Sequence, residues 1–314
     1  TIVLEDKIIY EFGGKLISFG TYSKFVKYFK LASYLKVQQF DYVIDFRHRI
    51  NPKMEWLFLN FIYRNLKFIY TIHSSRLETY LTENNWIAKQ ILKKTTKIVV
   101  VSNFIKVKIE SKFGPSSIEV ISNSISKPTF LNKEKLDFEY IISVGRLVPL
   151  KQFDKLIESY SQSNLPKKNI HLLILGVGDE QAKLEQKIAN LKLESVVHLV
   201  GFKQNVLDYI LNAKFLVLSS QYEGFPMTIL EALSVGTPVV SFDCESGPNE
   251  MIHPNHNGIL VENQNFTELT HKMNIFVEDE ILYQNCKNNA ITSVAKFQSE
   301  VIVNQWLHVL NYGN

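Results

Sequence analysis

The sequence predicts an α/β protein built on two doubly wound parallel sheets, and three observations carry that prediction. Short apolar, β-branched or aromatic runs alternate with helical patterns from about residue 40 onward, as parallel strands joined by crossover helices require. A polar stretch at residues 122–136 (SNSISKPTFLNKEKL) interrupts the alternation, which then starts afresh. The length of 314 residues suffices for two cores at roughly 100 to 200 residues per domain.

In the first half, residues 40–46 (FDYVIDF), 68–72 (FIYTI), 98–101 (IVVV) and 118–121 (IEVI) read as strands, each short and rich in β-branched or aromatic residues. Pro128 and the polar composition around it mark 127–137 as the linker. In the second half, strands are expected at 140–144, 171–175, 197–200, 215–218, 238–242 and 258–261. Helices are expected near 151–163, 179–192, 205–213, 226–235, 247–252 and 266–276. The domains are then 1–126 and 138–295, with a closing helix in 296–314. Two such sheets place a ligand in the cleft between them, beyond the carboxyl ends of the strands. The sequence opens at Thr1 directly into strand-like TIVLEDKIIYEF, so the first domain is expected to lack its first βα unit. No signal peptide is visible.

Hydrophobic residues at 46% and charged residues at 21% give an ordinary globular balance, which argues against disorder. Cys244 and Cys286 are too few for a disulfide framework and lack C-x-x-C spacing, so a reducing, cytoplasmic compartment is expected. The most apolar segment, 56–72, is broken by Asn60, Arg64, Asn65 and Lys67, and is no membrane span.

The net charge of +4 hides two halves of opposite sign. Residues 1–136 hold 22 Lys and Arg against 11 Asp and Glu, and the rest of the chain 13 against 20. An anionic partner for the first half follows. Residues 23–36 interleave Lys24, Lys27, Lys30 and Lys36 with Phe25, Tyr28, Phe29, Leu31 and Leu35. Two readings carry equal weight: a surface helix whose lysine stems cover apolar neighbours, or a helix lying on an anionic membrane. No nucleic-acid module accompanies the charge, and no nucleic-acid partner is expected.

The most informative stretch is 219–241 (SSQYEGFPMTILEALSVGTPVVS). Gly224 supplies a turn, Pro226 suits the first helical position, Gly236 the helix end and Pro238 the start of the next strand. The helix N-terminus, from Gly224 and Phe225 through Met227 and Thr228, forms an anion site suited to a diphosphate. Glu223 lies just before it and Glu231 about one and a half turns inside. Carboxylates flanking a phosphate site are suited to accept hydrogen bonds from vicinal hydroxyls, one pair on a ribose and one on a hexose. Residues 143–151 (SVGRLVPLK) offer Gly145 for close backbone approach, Arg146 as a fork onto two phosphate oxygens and Lys151 as a point charge at a helix start.

The segment EGFPMTILE resembles the E-x7-E signature of glycosyltransferase family 4, a retaining family with the GT-B fold of two Rossmann-like domains facing a central cleft. Glu223 and Glu231 are its two glutamates. SVGRLVPLK resembles the family's G-R-L-x-x-x-K loop, whose Arg and Lys hold the donor diphosphate. Gly176 and Gly178 (LILGVGDE) form part of a dinucleotide fingerprint or a tight turn. Val200, Gly201 and Phe202 stand where the family lines its base pocket, and 246–250 (SGPNE) resembles the G-P-x-E segment of polysaccharide-building members. His73, after Thr71 and Ile72, matches a histidine beside the donor sugar. Ser102 and Asn123 match the V-S and P-N-G-V positions, with Ser122 and Ser124 in place of the usual Pro and Gly. Residues 297–310 resemble the closing helix that crosses back to the first domain.

The resemblance implies a retaining hexosyltransferase. It would move a hexose or N-acetylhexosamine from a nucleotide-sugar, with UDP preferred, to a lipid-linked saccharide in capsule, O-antigen, lipopolysaccharide or exopolysaccharide assembly. Glu223, His73, Arg146 and Lys151 are the expected catalytic set. No D-x-D occurs, so no metal and no cofactor are expected, and Arg146, Lys151 and the helix dipole at 224–227 would carry the leaving charge. Lys24, Lys27 and Lys30 would face the acceptor side and the inner surface of the cell membrane. A non-catalytic partner subunit of the same fold and a sugar-nucleotide epimerase are the alternatives. Oligomeric state is not predicted.

Overall fold

The computed structural model describes residues 2–4, 15–126 and 136–311. The expected linker at 127–137 lies largely outside the described residues, as does most of the opening TIVLEDKIIYEF. The chain packs as two compact units. One comprises Thr1–Ile72, Arg76–Val100 and Ile109–Glu119; the other comprises His73–Ser75, Val101–Lys108 and Val120–Asn314.

In the first unit, β1 (Ile2–Val3) pairs in parallel with β2 (Ile17–Ser18), and helix α1 (Lys24–Gln38) follows. Then come β3 (Val43–Asp45), α2 (Pro52–Leu57), β4 (Phe68–Ile72), α3 (Glu78–Leu81), α4 (Asn85–Lys94), β5 (Lys97–Val100), α5 (Asn103–Phe113) and β6 (Ile118–Val120), of which the start of α5 as far as Lys108, and Val120, pack with the second unit. The sheet order is β3-β4-β5-β6. Every residue of β4 is buried, as expected of a parallel strand covered on both faces. The strand expected over 40–46 shortens to β3, because the Asp45 carboxylate accepts from the Arg47 amide (2.8 Å) and turns the chain. The apolar stretch at 56–72 is not one element. Asn51 accepts from the amides of Lys53 and Met54 and starts α2, which runs into a π-helical turn at Phe58–Ile62.

Helix α1 divides the apolar residues expected to share a face. Leu31 and Leu35 are buried, whereas Phe25 and Phe29 are 86% and 83% exposed. Each pair is four apart and shares a stripe, but the six-residue offset between the pairs puts the stripes on different sides of the helix.

Beyond β3 lies a buried ionic cluster. Arg49, 0% exposed, donates to the carbonyls of Asp45 (2.6 Å), Thr71 (3.1 Å) and Tyr80 (3.4 Å). Arg47 bridges Asp45 at 2.7 Å and Glu55 at 3.3 Å. Burial pushes the Asp45 carboxyl up, but the charges of Arg49 and Arg47 outweigh it and leave the group below its ordinary value. Burial dominates at Glu55, whose pKa is raised.

The second unit holds a six-stranded parallel sheet. Its elements, in chain order, are β7 (Tyr140–Val144), α6 (Phe153–Gln162), β8 (His171–Leu175), α7 (Gln181–Asn190), β9 (Val197–Gly201), α8 (Val206–Asn212) and β10 (Leu216–Leu218). They continue with α9 (Met227–Ser234), β11 (Val239–Phe242), α10 (Pro248–Met251), β12 (Gly258–Val261), α11 (Phe266–Glu278), α12 (Glu280–Ser293) and α13 (Ser299–Asn311). The order is β12-β11-β10-β7-β8-β9. The strands fall within a residue or two of their expected places, because fully buried parallel strands read as short apolar runs. Helix α12, started by the Asp279 carboxylate on the Leu282 amide, was not expected. The strand order reverses between β7 and β10, which defines a topological switch point, the usual ligand location in open α/β sheets.

Candidate functional site

The two informative loops leave the neighbouring strands β7 and β10 at this switch point. They are stitched together: the Ser219 hydroxyl donates to the Lys151 carbonyl (2.8 Å), and the Gln221 amide to that of Leu150 (3.0 Å). Lys151 Nζ then reaches Glu223 Oε1 at 2.6 Å. Lys151 does not open α6 as expected. It ends a 3-10 turn at Pro149–Lys151, and Gln152, left-handed at φ 53°, separates it from the helix. The fixed φ of Pro149 suits that turn. Gly145 lies beneath the lysine, where a Cβ would come within 3.0 Å of Lys151 Cε. Arg146 is exposed beside it.

The loop carrying Glu223 is held on its far side. The Glu223 amide donates to the Glu245 carbonyl (3.0 Å), and Tyr222 and Glu245 form a parallel bridge. A Cβ at Gly224 would collide with the His73 carbonyl, so only glycine lets the His73 segment lie against this loop. Pro226 stands at the N-cap of α9, one place earlier than expected, and no side chain caps the helix. The first-turn amides at Met227 and Thr228 therefore remain open to a ligand. Glu231 follows in the second turn, where burial raises its carboxyl above the ordinary value. Phe225 is buried with its ring edge-on to Phe297 at 5.5 Å, so its side chain supports the loop.

Other expected residues separate by role. A Cβ at Gly176 would collide with the Gly145 carbonyl, and one at Gly178 with the Leu147 backbone. These glycines serve close packing of the loops after β7 and β8. Gly201 is left-handed at φ 77° with open space beside it, and Phe202 is 71% exposed. Glu250 of the SGPNE segment accepts from the Phe104 amide (3.3 Å) in the first turn of α5. Lys24, Lys27 and Lys30 lie on α1 in the first unit; Lys27 donates to the Leu4 carbonyl and Lys30 sits 3.9 Å over the Tyr22 ring. Sequence reasoning missed Ser219 and Glu245, whose contribution is a hydrogen bond across loops far apart in the chain.

The fold is that of the GT-B glycosyltransferases. TarM of Staphylococcus aureus, solved with UDP, superposes with a TM-score of 0.77 at 24% identity, over 91% of this chain and 59% of TarM. HepE of Anabaena, also solved with UDP, gives 0.79 at 19%, over 95% and 86%. Residues 126–293, more than half of the chain, match the family described as Glycosyl transferases group 1, and the chain belongs to that family. The amylovoran biosynthesis glycosyltransferase AmsD of Erwinia amylovora is 29% identical over 68% of this chain and 62% of its own length. The poly(ribitol-phosphate) alpha-N-acetylglucosaminyltransferase of S. aureus is 29% identical over 74% and 46%. The N-acetylgalactosamine-N,N'-diacetylbacillosaminyl-diphospho-undecaprenol 4-alpha-N-acetylgalactosaminyltransferase of Campylobacter jejuni is 31% identical over 63% and 54%. The chain thus spans between about half and three fifths of the length of these relatives.

Proposed function

We propose that the chain is a retaining, metal-independent hexosyltransferase of the family 4 type, using a UDP-sugar donor and a lipid-linked saccharide acceptor in surface-polysaccharide assembly. The observation that carries the reading is the Lys151–Glu223 pair beside the uncapped N-terminus of α9, with Glu231 one turn further in. Arg146, Lys151 and the amides of Met227 and Thr228 bind the diphosphate. Glu223 accepts from hexose hydroxyls, Glu231 from the ribose, and His73 lies on the sugar side. The anomeric C–O bond breaks toward the β-phosphate, which takes up the electron pair and is stabilised by these fixed charges. The acceptor oxygen bonds to the same face of the anomeric carbon and passes its proton to the departing phosphate oxygen, so UDP leaves.

A thermal-shift panel of UDP- and GDP-sugars tests the donor, with stabilisation by a UDP-sugar expected. Glu223→Ala abolishes turnover, and unchanged activity would remove Glu223 from the site. A donor-hydrolysis assay with and without lipid extract separates transfer from the epimerase and non-catalytic alternatives.

The lipid-linked acceptor draws support from the diphospho-undecaprenol in the name of the Campylobacter relative and from the exposed Phe25 and Phe29 among the lysines of α1. Among the described residues no helix is long and apolar enough to cross a membrane. Peripheral attachment at the inner face of the cell membrane is therefore the form proposed. Retention on vesicles containing anionic lipid, weakened by Phe25→Ser with Phe29→Ser, checks it; equal retention on neutral vesicles would end it.

A further inference from the structure

Ser102 and Ser246 both lie in segments that resemble family motifs, yet the proposed mechanism uses neither. Ser246 is 2% exposed and Ser102 0%. Their hydroxyls are 2.6 Å apart, Ser246 Oγ donates to the Gly224 carbonyl (2.5 Å), and Ser102 Oγ accepts from the Ile105 amide (3.3 Å). These contacts fix every proton. A carbonyl can only accept, so the Ser246 proton points to Gly224; Ser102 must then donate its own proton to Ser246. The result is a one-directional chain from the first turn of α5 to the loop of Glu223.

The backbone around Ser246 is built for this aim. Ser246 is left-handed at φ 68° and Gly247 follows at φ 107°, a conformation that costs a serine free energy and persists only where its surroundings enforce it. A Cβ on Gly247 would come within 2.5 Å of Pro226 Cδ. The turn at 246–247 therefore lies hard against Pro226 while its hydroxyl holds Gly224. The Glu223 amide is fixed meanwhile by Glu245, the residue before Ser246.

We infer that Ser246, oriented by Ser102, is a positioning residue that sets the conformation of the loop from Glu223 to Pro226. The inference rests on the donor-binding reading for its functional consequence. If Glu223 meets the hexose while Arg146 and Glu231 serve the nucleotide, loosening this loop removes the contribution of the sugar and spares that of UDP.

Ser246→Gly is the decisive variant, since it deletes the hydroxyl while relieving the left-handed backbone. Ser102→Ala is its companion, leaving the Ser246–Gly224 bond and removing only its orientation. Calorimetry with UDP and with the UDP-hexose chosen by thermal shift is expected to show UDP affinity within about twofold of the parent. Affinity for the sugar nucleotide and kcat should fall roughly five- to tenfold in Ser246→Gly, and less in Ser102→Ala. Hydrogen–deuterium exchange over 222–225 in the ligand-free protein is expected to quicken in both variants, with that of Met227 and Thr228 unchanged. Parent-like exchange, or an equal loss of UDP and sugar-nucleotide affinity with a lowered melting temperature, would overturn the inference. A parent chain that binds no UDP-sugar would overturn the donor reading instead, with the exchange result still deciding the role of Ser246.

Discussion

Lys151 Nζ lies 2.6 Å from Glu223 Oε1, with the two side chains only 17% and 13% exposed, so each is the counter-ion of the other. The pair holds a cation and a carboxylate together beside the N-terminus of α9, where the diphosphate is proposed to bind. Lys151→Met leaves Glu223 half-buried without that cation. UDP affinity is expected to fall about 10- to 100-fold, and stability with it. Adding Glu223→Gln should recover stability without recovering affinity. A double-mutant cycle on melting should give a coupling of about 1–3 kcal/mol, and additive changes would show that the pair is not coupled.

Glu231→Gln separates binding from stability. Burial raises the Glu231 pKa, so its contribution to stability is fully present below the unfolded value of about 4.3 and is lost as pH rises through the higher folded value. The glutamine variant is expected to melt above the parent at pH 7 and to lose that advantage near pH 4. Its UDP affinity should be weaker, since an amide offers the proposed ribose contact one acceptor oxygen in place of two.

Arg49→Met should cost the first unit about 3–5 kcal/mol in urea unfolding, the range for breaking a buried charge cluster by removing one partner. Asp45 would lose one of the two cations that lower its pKa. In the parent, the stabilising contribution of Asp45 is present above about pH 3.9 and is lost as pH falls through the lower folded value. Acid unfolding of the variant should therefore begin at a higher pH.

His171 Nδ1 and His198 Nε2 are 2.9 Å apart, and the His171 ring stacks on Phe138 at 4.0 Å. Burial lowers both pKa values, and at His171 the neighbouring His198 adds to the effect. Their contribution to stability is present above about pH 6.5 and declines below it, as the unfolded chain takes up protons that the folded pair resists. Melting temperature should drop from pH 7 to 5.5 in the parent and drop less in His198→Gln.

The second unit was legible because its strands are short apolar runs closed by glycine and proline, as in LILGVG and VGTPVV. That Glu223, Glu231, Arg146 and Lys151 lie at one end of a sheet was legible from strand–loop–helix order, and their reading as a donor site from the resemblance of the two segments to family motifs. The pairing of Lys151 with Glu223 was not, since β7 and β10 become neighbours only through the strand order. Arg47 and Arg49 count toward the positive charge of the first half, yet their charges are spent on Asp45 and Glu55. The pattern of α1 reads as one amphipathic helix; that Leu31 and Leu35 are buried while Phe25 and Phe29 are exposed was not legible, because the packing partner is tertiary.

The strand order also constrains how the protein is made. β7 is the first strand of its sheet to leave the ribosome and ends at the centre of that sheet, with β8 and β9 completing one flank before β10 exists. Lys151 and Glu223 are 72 positions apart, so a growing chain at about 5–20 residues per second leaves the lysine without its carboxylate for roughly 4 to 14 seconds. During that interval β7 presents an open edge, the kind of surface that recruits a second nascent chain. A fragment ending before β10 keeps that edge for good, and should be found in aggregates while the intact chain accumulates.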